Sequence, residues 1–120
     1  TCVENNLPVK VVIINNGYLG MVRQWQDLFY NKRYSQVDLT IQPDFVKLAD
    51  AYGVVGLRAK RPDEVRPVLE KAFATPGPVI VDVVTEREEN CFPMIPPGGA
   101  IKEIIDYGDP IPEKLFQGLR

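Results

Sequence analysis

Apolar residues in this chain alternate between short continuous runs and a helix-like spacing. The continuous runs cover residues 8–14, 54–59 and 78–84 and are rich in valine and isoleucine. Short β-branched runs bounded by turn residues are typical of strands that are buried on both faces, as in a parallel sheet. The pattern therefore predicts three strands at these positions.

Helical spacing of apolar residues predicts three helices. The first two lie between the first and second strands, and the third lies between the second and third strands. The first pattern has apolar residues at 18, 21, 22, 25, 28 and 29. A second helix is predicted from Pro43 to Tyr52, with Gly53 ending it, and a third starts at Pro62. Pro67 predicts either a kink in the first turn of the third helix or a later start.

The β-α-β-α-β order of these elements predicts the fold class. Parallel strands joined by right-handed crossovers are the usual solution for this order. We therefore expect an α/β protein with a partial three-layer α/β/α arrangement and a mostly parallel sheet of three strands. Residues 1–84 would form this domain, and the proline- and glycine-rich residues 85–120 would form an irregular C-terminal tail that wraps over a surface.

Composition narrows the classes of function. The net charge of −2 over 120 residues, without a basic stripe, argues against nucleic acid as a partner, and no apolar run is long enough to span a membrane. Two widely separated cysteines favour reduced thiols and a cytoplasmic protein. The sequence has no histidine, so its chemistry would need carboxylates, amides, a metal or a cofactor. The first residues resemble the end of a helix, and we expect a fragment of a larger protein.

Asn15, Asn16 and Gly17 stand between the first strand and the first helix. In open α/β sheets, ligands bind at the carboxyl ends of the strands, and a helix N-terminus there offers free N–H groups to a phosphate. An asparagine oxygen suits Mg²⁺ or Ca²⁺. A plain turn with an N-cap would use the same residues, so the dipeptide alone leaves both interpretations open.

A longer stretch resembles a known family. VVIINNGYLGMVRQWQDLFYNKRYS is similar to the segment that closes the GDG…NN motif of thiamine-diphosphate enzymes, and more narrowly to the large catalytic subunit of acetolactate synthase. The blocks that follow in the same order as in that family are PDFVKLADAYG, GLRAK, PGPVIVDV and FPMIPPGGAIKEII. The resemblance covers nearly the whole chain and identifies it as the C-terminal part of the cofactor-binding domain.

The resemblance implies a set of cofactor and metal residues. Asn16 would give its side-chain oxygen, and Tyr18 its backbone carbonyl, to a Mg²⁺ ion that bridges to the diphosphate of thiamine diphosphate. Leu19, Gly20 and Met21 would lie along the diphosphate and the thiazolium ring. Glycine fits at position 20 because close approach of backbone to phosphate leaves no room for a Cβ.

The resemblance also implies a substrate channel, formed in this chain by Met21, Val22, Trp25, Pro97 and Gly98. Trp25 matches a tryptophan linked to the choice of the second 2-keto acid, although helical spacing alone also fits a plain core aromatic. Many members of the family have a small residue such as Ser or Ala where Pro97 stands. Arg23 and Gln24 have no implied role, and we expect them to be solvated or at an interface.

The implied activity is decarboxylation of pyruvate and condensation with a second 2-keto acid, either pyruvate or 2-oxobutanoate, in branched-chain amino-acid biosynthesis. The family also implies FAD in another domain, a homodimer or larger homo-oligomer, and a possible small regulatory subunit. The GDG half of the motif and the catalytic glutamate are not in this sequence. We therefore expect no catalytic residue here, an inactive isolated chain, and an exposed edge on the strand at residues 9–14.

Two alternatives remain open at this point. Glyoxylate carboligase and other thiamine-diphosphate enzymes share the NN pair and the fold, although the GMVRQW context favours acetolactate synthase. A stand-alone α/β binding module without catalysis would also fit the three-strand pattern. A Gly-Asp-Gly encoded upstream of Asn15 would favour the enzyme.

Overall fold

A computed structural model describes residues 1–111 of the chain. Its elements are β1 (Lys10–Asn15), α1 (Gly20–Phe29), α2 (Phe45–Ala51), β2 (Val55–Ala59), α3 (Pro62–Ala74), β3 (Val79–Val84) and a short 3-10 turn (Ile101–Glu103). The three predicted strands and three predicted helices are confirmed, with ends shifted by a few residues. The described residues form two compact units, one of residues 1–16 and 40–87, the other of residues 17–39 and 88 onward.

The first unit contains the sheet. Its strand order is β1-β3-β2, and both pairings are parallel, with Val12 opposite Val81 and Leu57 also opposite Val81. Placing β3 in the centre explains its sequence, because a strand with neighbours on both sides and helices on both faces is apolar almost throughout. This arrangement confirms the predicted α/β class.

The two helices of this unit pack on opposite faces of the sheet. A Cβ added to Gly56 would lie 2.9 Å from the Cα of Val46, so α2 packs directly on that face of β2. The next residue along the strand points to the other face, where Leu57 packs with Ala72 of α3 and the buried Val79. The unit is therefore three layers deep, as the sequence predicts.

Local sequence signals set the helix ends. The Asp44 carboxylate accepts hydrogen bonds from the backbone N–H of Val46 at 3.0 Å and of Lys47 at 3.3 Å, which is an N-cap for α2. Gly53 has φ of 68°, a left-handed conformation that suits its predicted place after this helix. Helix α3 begins at Pro62 and continues through Pro67, so the alternative of a later start is wrong.

Strand β1 lies at an edge of the sheet formed by the described residues. Its apolar side chains are unusually open: Val11 is 46% exposed, Val12 40% and Ile14 68%. An unpaired strand edge with apolar side chains is a surface on which another strand can pair. The predicted exposed edge is confirmed; the predicted homo-oligomer stays a prediction.

The second unit contains α1 and the described part of the tail. Backbone bridges join Tyr18 to Asp38 and Met94 to Ile105, and the buried apolar side chains are Phe29, Val37 and Ile105. From residue 85 to 111 the chain is irregular apart from the 3-10 turn, as predicted, and the rest of the predicted tail, residues 112–120, lies outside the described residues. No helix within residues 1–111 is long and apolar enough to cross a bilayer.

The polar side of α1 is buried, which corrects one expectation. Arg23 is 7% exposed and Gln24 is 2% exposed, so the expectation that they are solvated is wrong. The physical reason is that the irregular segment after residue 87 offers backbone polar groups, and these side chains bond to them. The exposed side of the helix is instead apolar.

Candidate functional site

In the first unit, the Asn15 side chain is fixed by hydrogen bonds on both sides of its amide. Its Nδ2 donates to Asp82 Oδ1 at 3.0 Å, and its Oδ1 accepts from Gln42 Nε2 at 3.1 Å. Its backbone carbonyl accepts from the Thr85 N–H at 3.0 Å. Asn15 therefore has a structural role: its hydrogen bonds fix the carboxyl end of β1 and orient the chain that leads into Asn16.

Asp82 is the buried charge on which this arrangement depends. It is 2% exposed in the central strand, and its Oδ2 accepts a hydrogen bond from Arg58 Nε at 2.8 Å. Arg58 also donates from Nη2 to Asp44 Oδ1 at 2.7 Å. Because a buried carboxylate is tolerated when it is paired and hydrogen-bonded, Arg58 and Asn15 together make Asp82 acceptable in the core.

The same contacts shift the pKa values of the outer pair. The hydrogen bond from Arg58, followed by that from the Lys47 N–H, lowers the pKa of Asp44 below its usual range. The hydrogen bond to Asp44, followed by that to Asp82, raises the pKa of Arg58. Asp44 and Arg58 are therefore both charged at neutral pH, and the N-cap of α2 is tied to the sheet.

Asn16 is half-buried and is the last residue of the N-terminal segment of the first unit, residues 1–16. Within residues 1–111 there is no group of three or more Cys, Asp or Glu side chains arranged to hold a metal ion. The donors that this part of the chain offers are instead neutral amide and backbone oxygens. Such oxygens suit a hard cation such as Mg²⁺, which commonly completes its shell with phosphate oxygens.

In the second unit, Tyr18 is held in place by backbone and ring contacts. The Leu19 N–H donates to the Val37 carbonyl at 2.9 Å, and the Leu39 N–H donates to the Gly17 carbonyl at 2.8 Å. The Arg23 guanidinium lies 5.2 Å from the centre of the Tyr18 ring. The short stretch before α1 is therefore well ordered by its neighbours in this unit.

The N-terminus of α1 is suited to an anion. The residue at its N-cap position is Leu19, which has no side-chain oxygen and makes no side-chain capping hydrogen bond. Uncapped N–H groups and the positive end of the helix dipole favour a phosphate at such a position. Leu19 and Met21 are exposed beside it, Met21 at 60%. The role of Leu19, Gly20 and Met21 along the diphosphate stays a prediction.

An open apolar cavity of about 780 Å³ lies along α1. The residues that line it are Met21, Val22, Trp25, Gln26, Tyr30 and Arg33. Trp25 is 42% exposed and meets Phe29 edge-on, with ring centres 6.3 Å apart. It is therefore not a plain core aromatic, and that alternative is wrong.

The cavity includes residues to which the sequence analysis assigned no role. Gln26 and Tyr30 follow Val22 at intervals of four residues, and residues at that interval share one side of a helix. The i, i+4 spacing from Val22 could have indicated both. Arg33 lies beyond the end of α1, and helical spacing gave no signal for it.

Pro97 and Gly98 are exposed but do not line this cavity. They form a turn that is closed by a hydrogen bond from the Gly99 N–H to the Pro96 carbonyl at 2.9 Å, with Gly98 at φ of 73°. Pro96 is buried and anchors the turn. The role of Pro97 and Gly98 as channel residues stays a prediction.

A charged group on α1 is stabilised by the loops around it. Burial tends to raise the pKa of Asp27, but hydrogen bonds from the Tyr34 hydroxyl at 2.6 Å and from Asn90 Nδ2 at 2.7 Å outweigh it and lower this pKa. The hydrogen bond to Asp27 raises the pKa of Tyr34 in turn. Asp27 is therefore ionised at neutral pH and acts as an anchor rather than as a proton carrier.

Comparison with known proteins shows the family of the chain. Residues 1–83 match the model of a family described as "Thiamine pyrophosphate enzyme, C-terminal TPP binding domain". The chain belongs to this family of TPP-binding domains. Thiamine pyrophosphate (TPP) is another name for thiamine diphosphate, so the cofactor implied by the sequence is confirmed for the family.

Three relatives of this TPP-binding domain are named acetolactate synthases. The chain is 49% identical over 109 residues to "Acetolactate synthase" of Mycobacterium bovis, covering 87% of the chain and 18% of that protein. It is 41% identical over 106 residues to "Acetolactate synthase isozyme 2 large subunit" of Escherichia coli, covering 88% of the chain and 19% of that protein. A third relative, "Acetolactate synthase large subunit" of Cyanidium caldarium, is 41% identical over 106 residues, with 88% and 18% covered.

A solved structure shows the same fold. It is described as a thiamine diphosphate-dependent 4-hydroxybenzoylformate decarboxylase of Rhodococcus jostii RHA1, with a TM-score of 0.66 and 27% identity. The match covers 74% of this chain and 17% of that one. The TPP-binding domain thus spans less than a fifth of the length of each of these four proteins. Its sequence is closer to the acetolactate synthases than to this decarboxylase.

Proposed function

We propose that this chain is part of a TPP- and Mg²⁺-dependent acetolactate synthase. The full-length protein would decarboxylate pyruvate and join the remaining two-carbon unit to a second 2-keto acid, pyruvate or 2-oxobutanoate, in branched-chain amino-acid biosynthesis. The observation that carries the proposal is the 41–49% identity to proteins of that name over most of this chain. Glyoxylate carboligase and a non-catalytic binding module are less favoured alternatives.

Asn16 and Tyr18 would hold the Mg²⁺ ion, through a side-chain amide oxygen and a backbone carbonyl. The two residues are two positions apart in the sequence and follow the carboxyl end of β1, where α/β proteins bind ligands. Leu19, Gly20 and Met21, at the uncapped start of α1, would lie along the diphosphate. Bound TPP would supply the nucleophilic carbon and accept the electron pair released when CO₂ leaves.

The described residues would position and enclose the reactants. The exposed side of α1 offers Met21, Val22 and Trp25 to the cavity, and a wall of this kind excludes water and selects substrates by size. No histidine occurs in the sequence, and Asp27 is held ionised as an anchor. By resemblance to the family, the catalytic glutamate would lie in a part of the full-length protein outside this chain.

The partners follow from the same proposal. The relatives from Escherichia coli and Cyanidium caldarium are named large subunits, which supports a small regulatory subunit as a partner here. A homo-oligomer, such as a homodimer, would cover apolar surface of the kind seen on β1 and α1. FAD would be bound by a separate domain of the full-length protein.

An activity assay of the full-length protein tests the proposal. We expect acetolactate from pyruvate alone and acetohydroxybutyrate when 2-oxobutanoate is added, because an open apolar cavity accepts the larger second substrate. Removal of Mg²⁺ with EDTA, or omission of TPP, should abolish both products, and re-addition should restore them. The isolated chain should form neither product.

Two results of the same assay would contradict the proposal. Carboligation of glyoxylate in place of pyruvate would establish the glyoxylate carboligase alternative. A full-length protein that converts no 2-keto acid in the presence of TPP and Mg²⁺ would favour the non-catalytic module.

A further inference from the structure

Three polar side chains on one side of α1 bind the segment at residues 88–94. They are Arg23, Gln24 and Asp27, which lie within about one helical turn of one another. Each bonds to a different part of the segment. The buried side of this helix is therefore a polar surface that is matched to an irregular piece of chain.

Gln24 makes the most specific of these contacts. Its Oε1 accepts from the Cys91 N–H at 2.8 Å, and its Nε2 donates to the Cys91 carbonyl at 3.0 Å. The Gln24 Nε2 also lies 2.9 Å from Met94 Sδ. A side-chain amide that pairs with both the N–H and the carbonyl of one residue fixes the position and the orientation of the backbone there. At 2% exposure, water does not compete for these bonds.

The neighbouring contacts support the same segment on both sides of Gln24. Asn90 Nδ2 donates to Asp27 Oδ2 at 2.7 Å. Arg23 donates from Nη1 to the Glu88 carbonyl at 3.3 Å, and its Nη2 lies 3.6 Å from the Glu88 carboxylate. These pairs hold the first part of the segment, residues 88–90, and Gln24 holds Cys91 and meets Met94.

The segment leads directly to the exposed turn at residues 97–98. Met94 exchanges two backbone hydrogen bonds with Ile105, at 2.9 and 2.8 Å, and Pro96 is buried. The turn that follows is therefore carried by a piece of chain whose position α1 sets. The other side of α1 forms the cavity wall with Met21 and Trp25.

We propose that Gln24 is a positioning residue: by pairing with the backbone N–H and carbonyl of Cys91, it fixes the Pro97–Gly98 turn relative to the α1 wall. The distance between these two surfaces then sets the choice of the second 2-keto acid. The effect on substrate choice rests on the function proposed above, whereas the pairing itself does not.

Replacement of Gln24 by Met in the full-length protein tests the pairing. Methionine has a similar length and no amide, so packing is retained while both hydrogen bonds to Cys91 are lost. We expect hydrogen exchange of the Cys91 backbone amide to become about tenfold faster, which corresponds to about 1.4 kcal/mol. The matched control is Gln36→Met, the same change at an exposed glutamine of the same unit, which should leave this exchange unchanged.

Product selection tests the role in substrate choice. With pyruvate and 2-oxobutanoate both present, Gln24→Met should change the ratio of acetohydroxybutyrate to acetolactate by about fivefold, equivalent to about 1 kcal/mol. Gln36→Met should leave the ratio unchanged.

A second variant covers the case in which Gln24→Met does not fold. Asn90→Ala removes the bond to Asp27 without altering α1, and it should move the product ratio in the same direction by a smaller factor. Faster exchange at Cys91 with an unaltered ratio would overturn the positioning role. Unaltered exchange at Cys91 would overturn the pairing, and this result is readable even if the wild-type protein makes no acetolactate.

Discussion

Replacement of Asn16 by Ala in the full-length protein is expected to weaken Mg²⁺ binding by about 100-fold or more in the presence of TPP. The variant removes the side-chain oxygen that we assign to the metal, and even groups that only support a metal ligand contribute 10- to 100-fold to affinity. Titration of the metal-free protein with Mn²⁺, followed by the electron paramagnetic resonance signal of the free ion, measures this affinity without any need for turnover.

The preceding asparagine provides the matched control. Asn15 is bonded through its amide to Asp82 and Gln42, so Asn15→Ala should lower the stability of the first unit by about 1–2 kcal/mol. Its effect on Mn²⁺ affinity should be far smaller than that of Asn16→Ala. A result in which Asn15→Ala abolishes metal binding and Asn16→Ala leaves it intact would reverse our assignment of the two residues.

Replacement of Asp82 by Ala is expected to lower the free energy of opening of the β-sheet by about 3 kcal/mol. The change leaves the half-buried Arg58 guanidinium and the Asn15 amide without their shared acceptor, and loss of one partner of a buried pair is strongly destabilising. The figure lies at the lower end of the usual range because the Arg58 side chain is 28% exposed and partly solvated. Hydrogen exchange of the Val81 and Val83 amides in the full-length protein measures it.

Two further variants separate the charge effect from simple truncation. Glu86→Ala removes an exposed carboxylate just after the same strand and should change the opening free energy by less than about 0.5 kcal/mol. In the double variant Asp82→Leu with Arg58→Leu, both members of the ion pair are gone, and the loss of opening free energy should be smaller than for Asp82→Ala. Equal losses of opening free energy in Asp82→Ala and in the double variant would show that an unpaired Arg58 guanidinium does not destabilise the sheet.

The elements of the fold were predictable from the sequence, whereas the neighbours of each strand were not. Continuous apolar runs located β1, β2 and β3, because strands buried on both faces leave few polar positions. The central place of β3 was not indicated, since all three runs are similarly apolar. Asp82, inside one of these runs, gave no sign of its partners, because Arg58 and Asn15 come from other strands.

The candidate site shows a second limit of sequence patterns. The spacing in α1 correctly grouped Met21, Val22 and Trp25, because a 3.6-residue period fixes which side chains share a side of a helix. It did not indicate that this apolar side would be exposed and that Gln24 would be buried. The usual orientation is reversed here because the polar side bonds to the irregular tail, whose conformation has no periodic signal.

The location of the metal in the full-length protein tests the central claim most directly. A crystal structure of that protein with TPP and Mn²⁺ in place of Mg²⁺ would identify the ion by its anomalous scattering. We predict a peak at about 2.1 Å from the Asn16 side-chain oxygen, close to the usual distance between Mg²⁺ and its oxygen ligands. An ion bound to the diphosphate while the Asn16 side chain points away from it would contradict the assignment.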